Sequence, residues 1–388
     1  VPKSDWDRPP WNRWTFQHVS EMVPTAPVPR GDGPVAEIPR NERDIEGVAF
    51  EAVGGGTMTI AELLDASYTD GFLVAHRGEI VHESYWNSME PSTLHLSQSV
   101  SKSVVSLAAG VLIGEGLLDP MQPVTFYLPE LDATAWKGAL LRHVLDMTTG
   151  VYFGEDYTDP TSEIGKLDIV AGWKPVPPHP DGGEWPEGTF PDCIWDQLQN
   201  LDRADWEHGS RFEYRSIETD VLAHAMERVT GQRLPEIVST RLWQRMGMEA
   251  DARYTVDAAG YALACGGFNA TLRDYARIGL LLVNGGRAAG TQVVPEAWIE
   301  DIFSGDHGLF NDYGRHNHPN GQYRNQFWIE DRDRQTVLAK GIFGQLILAD
   351  READLVAVKL SSWPDFLSPE FDQNTRRGIR AVQAALGG

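Results

Sequence analysis

Cysteine is nearly missing from this 388-residue chain, which holds only Cys193 and Cys265. Two thiols exclude a disulfide framework, and without C-x-x-C spacing or a Cys/His cluster no zinc site is expected. Long apolar runs are missing too. None approaches the ~18 residues that cross a bilayer. Val1-Pro2-Lys3-Ser4-Asp5-Trp6 lacks the apolar stretch of a secretion signal, so a cytoplasmic location is the simplest expectation. Positive charge is scarce: 33 basic residues face 56 acidic ones, for a net charge of −23. That balance argues against nucleic acid and anionic membranes as partners. A small-molecule substrate is the expected partner, with a mild preference for a cationic or zwitterionic one, and a homodimer is left open. Gly54-Gly55-Gly56 lacks the spacing and the lysine of a phosphate loop, and no cofactor is expected. The G-x-S-x-G elbow of the α/β-hydrolases is absent. Neighbouring carboxylates such as Glu155-Asp156 do not specify a glycosidase. His316 and His318 lie in a polar stretch and read as surface residues.

Lysine is also rare, with seven in the chain, so Ser99-Val100-Ser101-Lys102 stands out. With 19 serines, one S-x-x-K match arises by chance roughly a third of the time, and context must decide. A serine hydroxyl is a poor nucleophile at neutral pH and needs a base within hydrogen-bond reach. Helical i, i+3 spacing puts both side chains on one face. An uncharged Lys102 amine would then take the proton from Ser99, and backbone N–H groups at the helix start would face the developing oxyanion.

The surroundings favour this reading. Phe72 to Ala75 and Ile80 to Tyr85 flank Arg77-Gly78-Glu79 as a β-hairpin. After Ser99, residues Val104, Val105, Leu107, Ala108, Val111 and Leu112 recur at helical spacing up to Gly114 and Gly116. Residues 1–50, rich in Pro, Arg and Trp, read as an extended arm wrapped on the body. Thr59-Ile60-Ala61-Glu62 is a capping-box pattern that opens a short helix. Residues 119–261 are mostly helical, with a long Pro- and Gly-rich loop over 174–192. Thr271 with Asp274 opens a further helix, and Pro295 is expected in the first turn of the next. Short strands then alternate with charged turns from Phe327 to Leu360, too close together for crossover helices. A last amphipathic helix carries Ile379, Val382 and Leu386. The expected fold class is α+β: an antiparallel sheet over 51–118 and 262–388, flanked by helices, with an inserted all-α lobe over 119–261.

Two further elements complete the expected chemistry. Tyr214, in Tyr214-Arg215-Ser216 ahead of a helix at Val221, is the candidate proton relay. Ala339-Lys340-Gly341-Ile342 is read as an edge strand whose Ile342 N–H gives a second oxyanion donor, with Gly341 permitting close backbone approach to a ligand.

These residues resemble the β-lactamase-related serine hydrolases of the class C β-lactamase and DD-peptidase fold, and among them the 6-aminohexanoate-dimer (nylon-oligomer) hydrolases. The likeness covers nearly the whole chain. It rests on Pro9-Pro10-Trp11-Asn12-Arg13-Trp14, Glu21-Met22-Val23-Pro24, Tyr68-Thr69-Asp70, Ser99-Val100-Ser101-Lys102-Ser103, Val144-Leu145-Asp146-Met147, Glu155-Asp156-Tyr157, Thr219-Asp220-Val221-Leu222-Ala223 and Val358-Lys359-Leu360-Ser361-Ser362-Trp363-Pro364. The resemblance implies Ser99 as acylated nucleophile, Lys102 and Tyr214 as proton-transfer pair, and Ser99 and Ile342 N–H groups as the oxyanion hole. It also implies that Tyr157 hydrogen-bonds the leaving nitrogen and that Asp168, Trp173 and Cys265 line the substrate pocket. The implied activity is cleavage of linear amides of small amino-acid oligomers through an acyl-enzyme. A carboxylesterase for short esters and a catalytically silent binding protein are the alternatives. This chain departs from the pattern at Phe343, where the relatives have histidine, at Cys265, usually a polar position, and in the longer 174–192 loop. The penicillin-type Lys-Thr-Gly triplet is also missing, which disfavours β-lactam hydrolysis.

Overall fold

A computed structural model describes residues 1–310 and 312–387, apart from the side chains of Asp312, Tyr313 and His316. The expectation for His316 therefore lies outside the described residues. The main sheet has seven antiparallel strands: β1 (Thr69–His76), β2 (Glu79–Tyr85), β3 (Gln322–Arg324), β4 (Phe327–Asp331), β5 (Thr336–Gly341), β6 (Gln345–Asp350) and β7 (Leu355–Ser361). Their spatial order is β3-β4-β5-β6-β7-β1-β2. The β1–β2 hairpin turns through Arg77 and Gly78, both at positive φ, as a twist-matched two-residue loop requires.

Strand periodicity divides the core. Leu73, Ala75, Val337, Ala339, Val356 and Val358 join one buried cluster with α1 (Val100–Gly114) and α3 (Leu272–Val283). Phe72, Val74, Leu338, Leu346 and Leu348 join the other, under the short helix Ile60–Ala66 and α4 (Pro369–Ala385). The sequence pattern sets both helix starts here. Thr59 and Glu62 form the capping box, and Thr271 accepts from the Asp274 N–H. Pro295 differs slightly: it caps Glu296–Ser304 from outside the first turn.

Helix α1 carries several β-branched residues, which are modest helix formers. Burial overrides that preference, since every residue from Val100 to Leu112 is buried. The hydroxyls of Ser101, Ser103 and Ser106 donate to the carbonyls of Ala264, Gln326 and Asn325 at 2.7, 2.8 and 2.6 Å. They give the buried polar atoms partners and pin the helix on two sides. Its end is a left-handed turn at Gly116, with the Leu117 N–H reaching back to Leu112 O.

Between residues 119 and 251 the regular elements are helices, including α2 (Ile217–Thr230), which starts four residues before the expected Val221. The strand Ala252–Thr255, inside the boundary expected for the helical lobe, instead pairs in a small sheet. Its strand order is Thr25–Val28, Ala252–Thr255, Phe268–Ala270 and His95–Leu96. The N-terminal arm is thus not merely extended. It forms short helices at Asn12–Thr15 and Val19–Met22 and contributes the outer strand of that sheet. No helix among the described residues is long and apolar enough to cross a membrane.

Candidate active site

Ser99 caps the N-terminus of α1 with φ −66° and ψ −5°. The fully buried first turn carries Lys102 beneath it, and Lys102 Nζ lies 2.8 Å from Ser99 Oγ. A second Lys102 hydrogen goes to the Cys265 carbonyl at 2.8 Å. Tyr214 arrives from the helical lobe, its ring centroid 5.0 Å from Lys102 Nζ. Trp328 stacks on that ring at 5.5 Å and Tyr323 meets it edge-on at 6.0 Å. The main sheet and the helical lobe therefore contribute to one cluster.

Opposing influences set the charge state of this cluster. Burial is the largest influence on Lys102 and favours the neutral amine. The Tyr214, Cys265 and Glu155 groups act oppositely and leave the pKa above the ordinary lysine value. Burial likewise raises the Tyr214 phenol, against the lowering effects of Lys102 and of a hydrogen bond with Ser99. The amine and the phenol form one coupled pair, and burial pushes the two groups in opposite directions. The pair must lose one proton before it can act as a base, and the two groups titrate together.

Glu155 was not foreseen as part of the site. It accepts from the Tyr157 hydroxyl at 2.6 Å and from the Ser216 N–H. Burial, then Glu155, pushes Tyr157 well above the usual phenol range, so it stays a donor. The one sequence signal for Glu155 was its place two residues before Tyr157.

Two cavities meet at Ser99, Tyr157, Ile342 and Phe366. The smaller, about 60 Å³, is lined by Asp168, Trp173 and Cys265 together with Asp7 and Arg8 of the N-terminal arm. The arm is therefore a wall of the site. It is held by the Trp6 indole on the Trp173 carbonyl at 2.8 Å and by an Asp7–Lys174 ion pair. Asp168 is half-buried; burial, then Asp7, pushes its carboxyl up to about 7. The Trp173 indole is fixed on Thr255 Oγ1 at 3.0 Å. Burial, then Asp220, holds the Cys265 thiol well above its usual range. Of the 174–192 loop, only Lys174 lines either cavity.

The Ile342 region also differs from expectation. Strand β5 is interior, because β3 and β4 pair outside it, and Ile342 lies just beyond β5 in the turn to β6. Gly341 does permit a close approach, but to protein backbone: a Cβ there would meet Ser97 O at 2.4 Å. Gln98 and Phe343, which flank Ser99 and Ile342, both have positive φ, at 50° and 61°. Such strained neighbours persist where surrounding packing over-determines them. Phe343 packs edge-on against Phe16 at 5.3 Å. His318 is buried rather than a surface residue, 5.8 Å from Trp328, because its segment folds back under that indole.

The larger cavity, about 350 Å³, is lined by Glu155, Tyr214, Trp328, Trp363, Lys340 and His318 among others. Among the described residues, no three His, Cys, Asp or Glu side chains group as a metal site needs.

Comparison with known proteins agrees with this architecture. A 6-aminohexanoate-dimer hydrolase from Paenarthrobacter ureafaciens is 38% identical over 367 residues, covering 93% of this chain and 88% of the relative. The solved structure of a candidate 6-aminohexanoate-dimer hydrolase from Bacillus anthracis superposes with a TM-score of 0.89 at 29% identity, covering 100% of this chain and 97% of the other. A family VIII carboxylesterase shares the fold, with a TM-score of 0.59 at 17% identity over 83% of this chain and 95% of its own. Residues 69–381 match the Beta-lactamase family, and the chain belongs to it.

Proposed function

We propose that this chain is a serine amidohydrolase that cleaves linear amides of small amino-acid oligomers through an acyl-enzyme. The observation that carries the reading is Lys102 Nζ at 2.8 Å from Ser99 Oγ, with Tyr214 against the same ammonium. Loss of one proton from the Lys102–Tyr214 pair creates the base. Ser99 Oγ then attacks the amide carbon and its proton passes to that pair. The oxyanion faces the N–H groups of Ser99 and Ile342. The C–N bond breaks as the nitrogen takes a proton through Tyr214, with Tyr157 hydrogen-bonded to the departing atom. Water then attacks the ester, activated by the same pair.

Asp168, with Trp173 and Cys265 around it, binds the ammonium end of the acyl half. A half-buried carboxylate facing a cation forms a charge-assisted hydrogen bond, and the two relatives named for 6-aminohexanoate dimers support an amino-terminated substrate. A cytoplasmic location accords with two free thiols and is tested by cell fractionation.

The test is intact-mass spectrometry after a fluorophosphonate probe, followed by turnover of 6-aminohexanoate dimer, short p-nitrophenyl esters, nitrocefin and D-alanyl peptides. One adduct on Ser99, lost with turnover in Ser99→Ala, is expected. Turnover of esters alone makes the chain a carboxylesterase. Absence of any adduct makes it a silent binding protein.

A further inference from the structure

The larger cavity has a polar side that the proposed reaction does not use. Lys340 lies on β5 two residues before Ile342, roughly 7 Å along an extended strand. Its ammonium pairs with Asp372 at 2.8 Å. Asp372 is already bonded to Arg376 at 3.0 Å, so its charge is shared between two cations. One carboxylate satisfies one of the three hydrogens of Lys340 Nζ, leaving donors for another partner. Two neighbours on the same cavity wall add to this. His318 is buried, and its Nδ1 has no hydrogen-bond partner among the described residues. Burial, then the Lys340 and Arg376 charges, pushes its pKa down to about 3, so the ring is neutral and can present an N–H. Helix α4 begins at Pro369, also on the wall, and directs the positive end of a 17-residue dipole there. The rest of the wall is largely apolar, with Trp328, Trp363, Phe366 and Leu367.

Glu155 and Asp372 also line this cavity, so an aliphatic chain that ends in an anion is suited only to the corner where the Lys340 ammonium, the His318 imidazole and the helix N-terminus meet. Asp168 lines only the smaller cavity and Lys340 only the larger, with Ser99 shared between them. We infer that Lys340, assisted by His318, is the specificity-determining residue for the leaving half of the substrate, binding a terminal carboxylate several methylenes from the scissile nitrogen. This rests on the amidase reading above. The Asp168 carboxylate in the smaller cavity and the Lys340 ammonium in the larger then fix the direction in which a zwitterionic oligomer lies across Ser99.

The experiment compares two amides with the same amino-terminated acyl half. One leaving amine ends in a carboxylate, the other in the neutral primary amide. Wild-type kcat/KM is expected to favour the carboxylate by tenfold or more, as a charge-assisted contact predicts. That ratio falls at least tenfold in Lys340→Met and is largely restored in Lys340→Arg. A ratio that stays the same in Lys340→Met overturns the inference. Should Lys340→Met not fold, competition in the wild-type protein decides. 6-Aminohexanoic acid should inhibit ester turnover more strongly than 6-aminohexanamide, and equal inhibition overturns the inference. If neither amide is cleaved while a fluorophosphonate still labels Ser99, the amidase reading has failed, and the same competition still tests Lys340.

Discussion

Replacing Asp168 by asparagine, read across pH, tests substrate recognition most directly. The carboxyl is pushed up to about 7 in the free protein, chiefly by burial. A bound ammonium favours the ionised form, so binding draws on the ionised fraction only. That fraction is about one tenth at about pH 6 and about nine tenths at about pH 8. Apparent affinity scales with the competent fraction, which predicts a roughly tenfold fall in KM over this interval and a plateau above it. The substrate ammonium stays charged throughout, so the trend belongs to the protein. Asparagine removes both the charge and the trend, and a lost charge-assisted hydrogen bond, worth about 1.5–3 kcal/mol, raises KM by tenfold or more at about pH 8. Stability shifts the other way. A carboxyl raised above its unfolded value destabilises the fold as pH climbs from about 4 through about 7. Asp168→Asn should therefore melt higher than wild type above neutral pH, with the difference vanishing in acid. The assay is initial-rate kinetics on an amino-terminated amide and on its analogue lacking the amine, at matched pH values. A KM ratio between them that does not change with pH, or one unaffected by Asp168→Asn, refutes the assignment.

Three further outcomes follow from the same geometry. Tyr157→Phe should cripple amide turnover and spare p-nitrophenyl esters, because an ester leaving group needs no proton; equal losses would remove Tyr157 from leaving-group chemistry. Both Lys102 and Tyr214 are raised, so kcat/KM for a neutral ester should climb with pH from neutral into the alkaline range, about tenfold per unit below the pair's first loss of a proton. A profile already flat at neutral pH would mean that the pair rests deprotonated. Gly341→Ala places a methyl 2.4 Å from Ser97 O, which forces Ile342 away from the nucleophile. It should cost about 1–3 kcal/mol in thermal or urea unfolding and lower kcat by more than that loss of folded protein explains.

Elements governed by local rules were legible in the sequence. The Thr59–Glu62 capping box, the Arg77-Gly78 turn, the Thr271 cap and the strand alternation from β4 to β7 depend on residues a few positions apart, and each lies where its pattern puts it. Ser99 and Lys102 share one turn of α1, so their contact was also a short-range consequence. What escaped was set by distant segments. The β5 strand looked like an edge because strand order is set by pairing between segments, and no local pattern shows that β4 and β3 lie outside it. The Asp7–Arg8 wall joins residues more than a hundred positions from Asp168, and no periodicity reports such a meeting.

The protonation state of Lys102 shows why site geometry was easier to read than site chemistry. Spacing alone places the amine under Ser99. Whether it carries a proton depends on burial, which favours the free base, against Tyr214, Cys265 and Glu155, which favour the cation. Glu155 is anchored by Tyr157, two residues on, and by Ser216 on another stretch of chain. Replacing it separates these effects. Glu155→Gln keeps the shape and removes the anion, so Lys102 should lose its proton more easily and the alkaline rise in kcat/KM should move toward lower pH. The readout is the pH profile for a neutral ester. A profile that stays in place while activity falls would make Glu155 a scaffold for Tyr157 and Ser216 alone. A profile that moves down would show that a carboxylate 53 positions along the chain contributes to holding the proton on Lys102.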